Sequence, residues 1–217
     1  MHCSTRTHRG LHLNDATAVF IRQLGLADRD AYFQLRLRGL KAHPDSFGQS
    51  YEEALAKGPE QHDARLQGLR AVEGEFLLGA FASTGTSADT PADTPADIPA
   101  DIPADIPADI PADSPLLGIV GLSRNQHDKE RHKAAVVGMY VAPEAAGRGI
   151  GRALLSELLA RAARIDGLRQ IQLMVGSHNE GARRLYESVG FSKYGCEVGA
   201  LNVGDVFHDA DLMVRFM

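Results

Sequence analysis

The sequence predicts an α/β or α+β domain built on a mixed β-sheet. Apolar runs of strand length alternate with segments whose apolar residues recur at helical spacing. Three strand-like runs precede the first strand–helix–strand unit, which is the order of a sheet with both antiparallel and parallel neighbours. Three glycines, Gly147, Gly149 and Gly151, lie between the end of a predicted strand and the start of a predicted helix.

The first half of the chain predicts a strand, two helices and two further strands. Val19 and Ile21 share one face of the first strand, and Phe33, Leu37 and Leu40 recur at helical spacing after it. The predicted elements are a strand over Ala18–Leu24, a helix capped by Asp28, a loop over Ala42–Tyr51, a second helix from Pro59, and strands over Phe76–Ala82 and Leu116–Leu122.

The second half predicts alternating strands and helices, closed by two strands. Leu155, Leu158, Leu159 and Ala162 share one face of the helix after the glycines. The predicted elements are a strand over Ala134–Ala142, a helix over Arg152–Ile165, a strand over Gln170–Val175, a helix over 180–188, and a final strand in which Ala210, Leu212, Val214 and Phe216 alternate. The predicted order is therefore β-α-α-β-β-β-α-β-α-β-β.

Composition argues against several classes of protein. Of 217 residues, 44% are apolar, and the net charge of −5 favours neither nucleic acid nor an anionic membrane as a partner. Two cysteines, Cys3 and Cys196, do not make a disulfide framework. No apolar run approaches the roughly 20 residues that span a bilayer. We expect a cytoplasmic protein, monomeric or homodimeric.

A Pro-Ala-Asp tract interrupts the predicted domain. From Pro91 to Ser114 a four-residue unit repeats six times, and its regular prolines forbid a helix or a central strand. It is either an acidic docking segment or a tolerated expansion of a hairpin loop, since loop length costs little entropy. We therefore predict a disordered tail over residues 1–15 and a single domain over 16–217, with an insertion at 87–114.

The glycine turn predicts a phosphate site. Glycine lets a ligand approach the main chain, and unpaired amides at a helix start attract phosphate. Arg148 and Arg152 add positive charge, so Gly147–Arg152 is either a pyrophosphate cradle or a tight turn that needs glycine for its geometry. No Walker string is present, and Leu154 stands where a Rossmann fingerprint has its third glycine.

Two longer segments carry a family resemblance. "GMYVAPEAAGRGIGRALLSELL" and "QLMVGSHNEGARRLYESVGF" resemble the GNAT superfamily of acyl-CoA-dependent N-acyltransferases. One position departs from the pattern, because Ala146 stands where the family has Arg or Gln. The resemblance implies a mixed, mostly antiparallel sheet, about four flanking helices and a splayed pair of central strands.

The resemblance also implies acetyl-CoA as co-substrate and no metal. It places pantetheine between the splayed strands, against the backbone of Met139 and Val141 and the side chain of Asn179. The resemblance implies that the pyrophosphate is bound by the loop at the start of the helix, namely Gly147, Arg148, Gly149, Ile150, Gly151 and Arg152. Plain strand residues at Met139 and Val141, and a helix N-cap at Asn179, are compatible readings.

Tyr186 matches the general acid of the family, although an aromatic packing role is the alternative. The family often places a Glu in the strand before the cradle, and here Gly138 occupies that place. The general base stays open among five side chains: His132, Glu130, Glu52, Glu53 and His178, the last through water. A water relay, or direct capture of the neutral amine, is the alternative to a side-chain base.

The acceptor is expected to be a primary amine of a small molecule or a protein. We assign its site to the first helix–loop–helix, including Ser46, Phe47 and Tyr51, and to the loop before the last strand. Aromatics and acids there would suit a cationic amine. The predicted function is therefore an N-acetyltransferase. The alternative is a non-catalytic acyl-CoA sensor or scaffold on the same fold, with the acidic tract as its partner-binding element.

Overall fold

The computed structural model describes residues 19–68, 74–83 and 114–217. The predicted tail and the predicted insertion, except for its last residue, lie outside the described residues. The strands are β1 (Val19–Gln23), β2 (Phe76–Ala82), β3 (Leu116–Arg124), β4 (Lys133–Val141), β5 (Gln170–Gly176), β6 (Ser192–Val203) and β7 (Val206–Phe216). The helices are α1 (Arg29–Ala42), α2 (Tyr51–Lys57), α3 (Asp63–Leu66), α4 (Ile150–Ala162) and α5 (Glu180–Glu187).

The strands form one seven-stranded sheet in the order β1-β2-β3-β4-β5-β7-β6. Every neighbouring pair is antiparallel except β4 and β5, which run parallel because α4 provides the crossover between them. The predicted fold class is confirmed. The described residues hold five α-helices rather than about four, and the additional one, α3, is a single turn of four residues.

The second helix begins at Tyr51, before Pro59, the residue predicted to start it. The hydroxyl of Ser50 accepts a hydrogen bond from the Glu53 amide at 3.0 Å and caps α2. Gly58, with φ of +70°, ends this helix, and Pro59 starts only a short 3₁₀ turn. The Ser-x-x-Glu spacing was the overlooked signal.

Two other predicted helix starts differ in detail. Asp28 is the N-cap residue of α1, as predicted, but its side chain makes no capping hydrogen bond. Its carboxylate instead accepts two hydrogen bonds of 2.7 Å from Arg22 and one of 2.9 Å from the Gly25 amide. Helix α4 begins at Ile150 rather than Arg152, since Gly149 is already its N-cap.

Helices cover both faces of the sheet. A Cβ on Gly118 of β3 would meet Leu154 of α4 at 3.0 Å, whereas one on Gly121 would meet Arg65 of α3 at 3.0 Å on the opposite face. Helices α4 and α5 therefore share one face, and α1, α2 and α3 cover the other. No helix among the described residues is long and apolar enough to cross a membrane.

Candidate active site

Strands β4 and β5 are joined only at their beginnings. Lys133, Ala134 and Ala135 pair with residues 170–172, and the ladder then stops. Both strands continue, β4 to Val141 and β5 to Gly176. The sheet is thus open between its two parallel strands, as the splayed pair predicted.

A cavity of about 480 Å³ begins where this pairing ends. Its walls include residues 135–138 of β4 and 172–174 of β5, so both separating strands line it. Tyr32 and Arg36 of α1 and the loop containing Ser46 and Phe47 complete the wall on the α1 face. The opening in the sheet therefore leads to a chamber large enough for small groups.

A bulge distorts β4 at the centre of this opening. Ile119 pairs with Tyr140 and Gly121 with Val137, so Val120 alone faces two residues of β4, positions 138 and 139. Gly138 has φ of +61°, a left-handed conformation that glycine adopts without a Cβ clash. The extra residue leaves the local ladder disrupted and re-aims main-chain groups next to the cavity.

The predicted cradle has an open backbone. Gly147 and Gly149 have φ of +75° and +77°, and a Cβ on either would meet no atom within 4 Å. The amides of Gly149, Ile150 and Gly151 donate no hydrogen bond to another described residue, and no side chain caps α4. Alternating left-handed glycines before a helix make an anion-binding concavity.

Gly151 has a different role. A Cβ there would lie 3.0 Å from Leu185 and 3.1 Å from the Met139 side chain. The missing side chain lets α4 approach both α5 and β4 closely.

Tyr186 projects from α5 to the bulged strand. Its hydroxyl donates to the thioether sulfur of Met139 at 3.6 Å, and its ring packs edge-on against Phe191. The side chain is buried, and burial raises the pKa of Tyr186 to about 12. The phenol is therefore a proton donor throughout the neutral range.

Comparison with known proteins identifies this arrangement. Residues 88–191 match the model of the acetyltransferase (GNAT) family. The matched segment, slightly under half of the chain, is similar to the GNAT acetyltransferases. A Bacillus subtilis (strain 168) protein, YwnH, whose name suggests a phosphinothricin acetyltransferase, is 29% identical over 84 residues, which are 39% of this chain and 51% of that protein. The chain thus matches about half the length of this curated relative.

Solved GNAT structures share the whole fold. A GCN5-related N-acetyltransferase from Kribbella flavida aligns with a TM-score of 0.64 and 23% identity, covering 92% of this chain and 98% of its own. The acetyltransferase yncA from Salmonella typhimurium, solved with acetyl-CoA, aligns with a TM-score of 0.61 and 18% identity, covering 92% and 94%. At these identities the likeness establishes the fold.

The GNAT motif around Asn179 is held in place by a buried carboxylate. The Asn179 side chain caps α5, accepting from the Ala182 amide at 3.1 Å. Two residues before Asn179, Ser177 donates to Asp211 at 2.6 Å, and Lys193 donates to the same carboxylate at 2.7 Å. Hydrogen bonds from Lys193 and Ser177 lower the pKa of Asp211, although burial opposes them. This network fixes the loop that presents Asn179.

Of the three predicted acceptor residues, two line the cavity between β4 and β5, which we call the main cavity because the separated strands form its walls. Ser46 and Phe47 line it, whereas Tyr51 lines a neighbouring cavity of about 740 Å³ that Phe47 also borders. The acids that would suit a cationic amine are not found here, since no Asp or Glu is among the described residues that line this cavity. Arg36 lines the cavity instead. The apolar spacing of the helix did not indicate this role, because that spacing predicts a solvent-facing side chain at Arg36.

Among the five candidate bases, His178 lies nearest to the predicted cofactor residues. It precedes Asn179 and lines a shallow pocket with Ser46, which also borders the main cavity. Its Nε2 lies 3.0 Å from a carboxylate oxygen of Asp45, and the two side chains come together with His208, all donor atoms within 4.8 Å. Such donors also suit a metal ion, so the predicted absence of a metal stays a prediction.

The other candidates lie elsewhere. Glu53 pairs with Lys57 at 2.6 Å, and Glu130 lies 3.5 Å from Lys133. Glu52 borders the neighbouring cavity. The main-chain carbonyl of His132 accepts hydrogen bonds from residues 169 and 170, at the joined end of β4 and β5.

Proposed function

We propose that the chain transfers an acetyl group from acetyl-CoA to a primary amine. The observation that carries this proposal is the separation of β4 from β5 after Ala135 and Gln172, which opens onto the cavity. An extended arm lying in that opening can pair with free main-chain groups, as an added strand does.

The residues of the cradle fit the diphosphate of this co-substrate. The open amides at Gly149–Gly151 would hold it, with charge from Arg148 and Arg152. The main chain of Met139 and Val141 and the Asn179 amide group would hold the pantetheine arm. Ala146 provides no side-chain contact, so main-chain groups carry most of the binding.

When bound, the co-substrate supplies an acetyl thioester as the acyl donor. Tyr186 is suited to donate a proton to the departing sulfur, because its hydroxyl already donates to a sulfur atom and it keeps its proton at neutral pH. A main-chain amide at the bulge is suited to stabilise the charge that develops on the carbonyl oxygen. His178, paired with Asp45, is the base that we favour for the amine, acting through water.

The test measures both the binding of acetyl-CoA and its turnover with an amine. Acetyl-CoA at 100 times its dissociation constant should stabilise the fold by about 2.7 kcal/mol, and release of free thiol should require an added amine. A thermal shift without thiol release on any amine would support the sensor alternative, for which Gly138 in place of Glu is the motivating observation. No thermal shift would contradict both functions.

A further inference from the structure

The described lining of the cavity between the separated strands is positively charged. Among the described residues, the guanidinium groups of Arg36 and Arg65 line it, and no Asp or Glu does. Arg65 already has a carboxylate partner, Glu75, at 3.5 Å. Arg36 forms no ion pair with any residue in the described ranges, so its charge is the one that a ligand can balance.

Arg36 is held in position by uncharged groups. Its Nη2 donates to Gln49 at 2.8 Å, Gln49 donates to Gln61 at 3.1 Å, and Gln61 donates to the Gly58 carbonyl at 2.7 Å. This chain orients the guanidinium without neutralising it. The Nε atom is buried and has no acceptor among the described residues. A partly desolvated charge in this state is stabilised when an anion binds beside it.

The guanidinium of Arg36 also lies beside the bulge of β4, where the reaction is proposed to take place. A Cβ on Gly138 would project to 3.3 Å from Nη1 of Arg36, so the guanidinium lies over the bulge. In the proposed function the thioester carbonyl lies at this bulge. An anion held by Arg36 would therefore be only a few atoms from the reacting amine.

We propose that Arg36 forms a carboxylate subsite and that the acceptor is an α-amino acid, whose amine and carboxylate share one carbon. This inference rests on the proposed function and narrows its substrate class. Apolar atoms of Phe47, Met174 and Leu212 line the same cavity, which favours an acceptor with an apolar side chain. A polyamine, with several positive charges and no carboxylate, is disfavoured by Arg36.

Matched acceptors test the subsite directly. We would compare methionine with methionine amide and with 3-(methylthio)propylamine, which remove the charge or the whole carboxylate, and with spermidine. Rates would be compared at equal concentrations of the unprotonated amine. We expect kcat/KM for methionine to be at least tenfold higher than for the other three.

Arginine variants test whether Arg36 causes that preference. Arg36→Gln should raise KM for methionine at least tenfold and change KM for 3-(methylthio)propylamine less than twofold. Arg36→Lys should recover part of the loss. Arg38→Gln is the matched control, because Arg38 lies on the same helix but pairs with Glu144 at 2.8 Å on the exposed side. It should leave the methionine preference unchanged.

A binding measurement separates this inference from the proposed function. Calorimetry with N-acetylmethionine and its amide, in the presence of coenzyme A, requires no turnover. Preference for the carboxylate that Arg36→Gln removes would support the subsite even if no amine is acetylated. Equal binding of both products, or turnover of amines without regard to a carboxylate, would overturn the subsite while leaving acetyl transfer intact.

Discussion

The hydroxyl of Tyr186 donates to the sulfur of Met139 at 3.6 Å, across the boundary between α5 and β4. This contact places a buried phenol next to the bulge, with a polarizable sulfur as its acceptor. A thiolate leaving group at the same place would be a stronger acceptor, because hydrogen bonds to charged groups are roughly twice as strong as neutral ones.

We expect Tyr186→Phe to lower kcat by about 10²-fold or more, in the range of general acid catalysis. The dissociation constant for acetyl-CoA should change little, because the ring and its packing remain. Tyr140→Phe is the matched control, since Tyr140 is also buried but lies on the α1 side, against Gly39. Stopped-flow thiol release and calorimetry measure the two constants. A kcat equal to that of wild type would remove the assigned role.

Tyr186 should also make the fold sensitive to alkaline pH. Burial raises its pKa to about 12, whereas an unfolded tyrosine titrates near 10. The folded state therefore binds the proton more tightly, and stability falls as pH rises from about 10 towards 12, by about 1.4 kcal/mol for each pH unit. Urea unfolding at several pH values should show this slope in wild type and a smaller one in Tyr186→Phe. Parallel curves would contradict the assigned burial.

Gly149→Ala should weaken acetyl-CoA binding at least tenfold, because its Cβ would project into the open cradle. Its positive φ adds backbone strain of about 1 kcal/mol that is unrelated to the ligand. Gly68→Ala controls for that strain, since Gly68 has φ of +65° and equally open surroundings. Unfolding and binding measured on both variants separate the effects. Equal affinity in the two would show that the turn is structural only.

Asp211→Asn should destabilise the fold by about 3 kcal/mol, because it leaves Lys193 and Arg183 beside a buried neutral group. The pKa of Asp211 is lowered by folding, so its stabilising contribution is present above about pH 4 and lost as pH falls below it. Acid unfolding should show this loss in wild type but not in the variant. Asp209→Asn, exposed on the same strand, should behave like wild type.

His178→Gln should lower kcat with little change in the dissociation constant for acetyl-CoA, because it removes the proposed base but none of the proposed cofactor contacts. His208→Gln should keep kcat near that of wild type. We expect the chemistry to need no metal, so EDTA should change neither rate. A loss of activity in EDTA that zinc restores would instead assign a metal to Asp45, His178 and His208.

The sequence predicted the order of strands and helices because apolar spacing differs clearly between them. It also predicted the opening between β4 and β5, through the family resemblance. Asp211 was missed, because it alternates with the inward residues Ala210 and Leu212 and so reads as exposed. In the structure it is 1% exposed, because β7 lies between β5 and β6 and residues from the loop before α5 cover it.

Arg36 was missed for a related reason. A charged residue between Leu35 and Leu37 on an amphipathic helix ordinarily points to solvent, and no local spacing marks it as part of a cavity. Only the long-range pairing of α1 with the separated strands reveals its position. The acceptor site is therefore the part of this protein that depends most on tertiary structure.

The bulge at Gly138 limits where residues can be deleted or inserted during evolution. Deletion of Gly138 would restore regular pairing, because Val137 and Tyr140 already pair with Gly121 and Ile119, and it would remove the bulge that re-aims main-chain groups next to the cavity. The two ends of the connection between β2 and β3 are joined by a 3.1 Å hydrogen bond from the Ala82 amide to the Pro115 carbonyl, and added loop length costs little entropy. In-frame insertions should therefore accumulate at that connection in natural variants and be purged from β4.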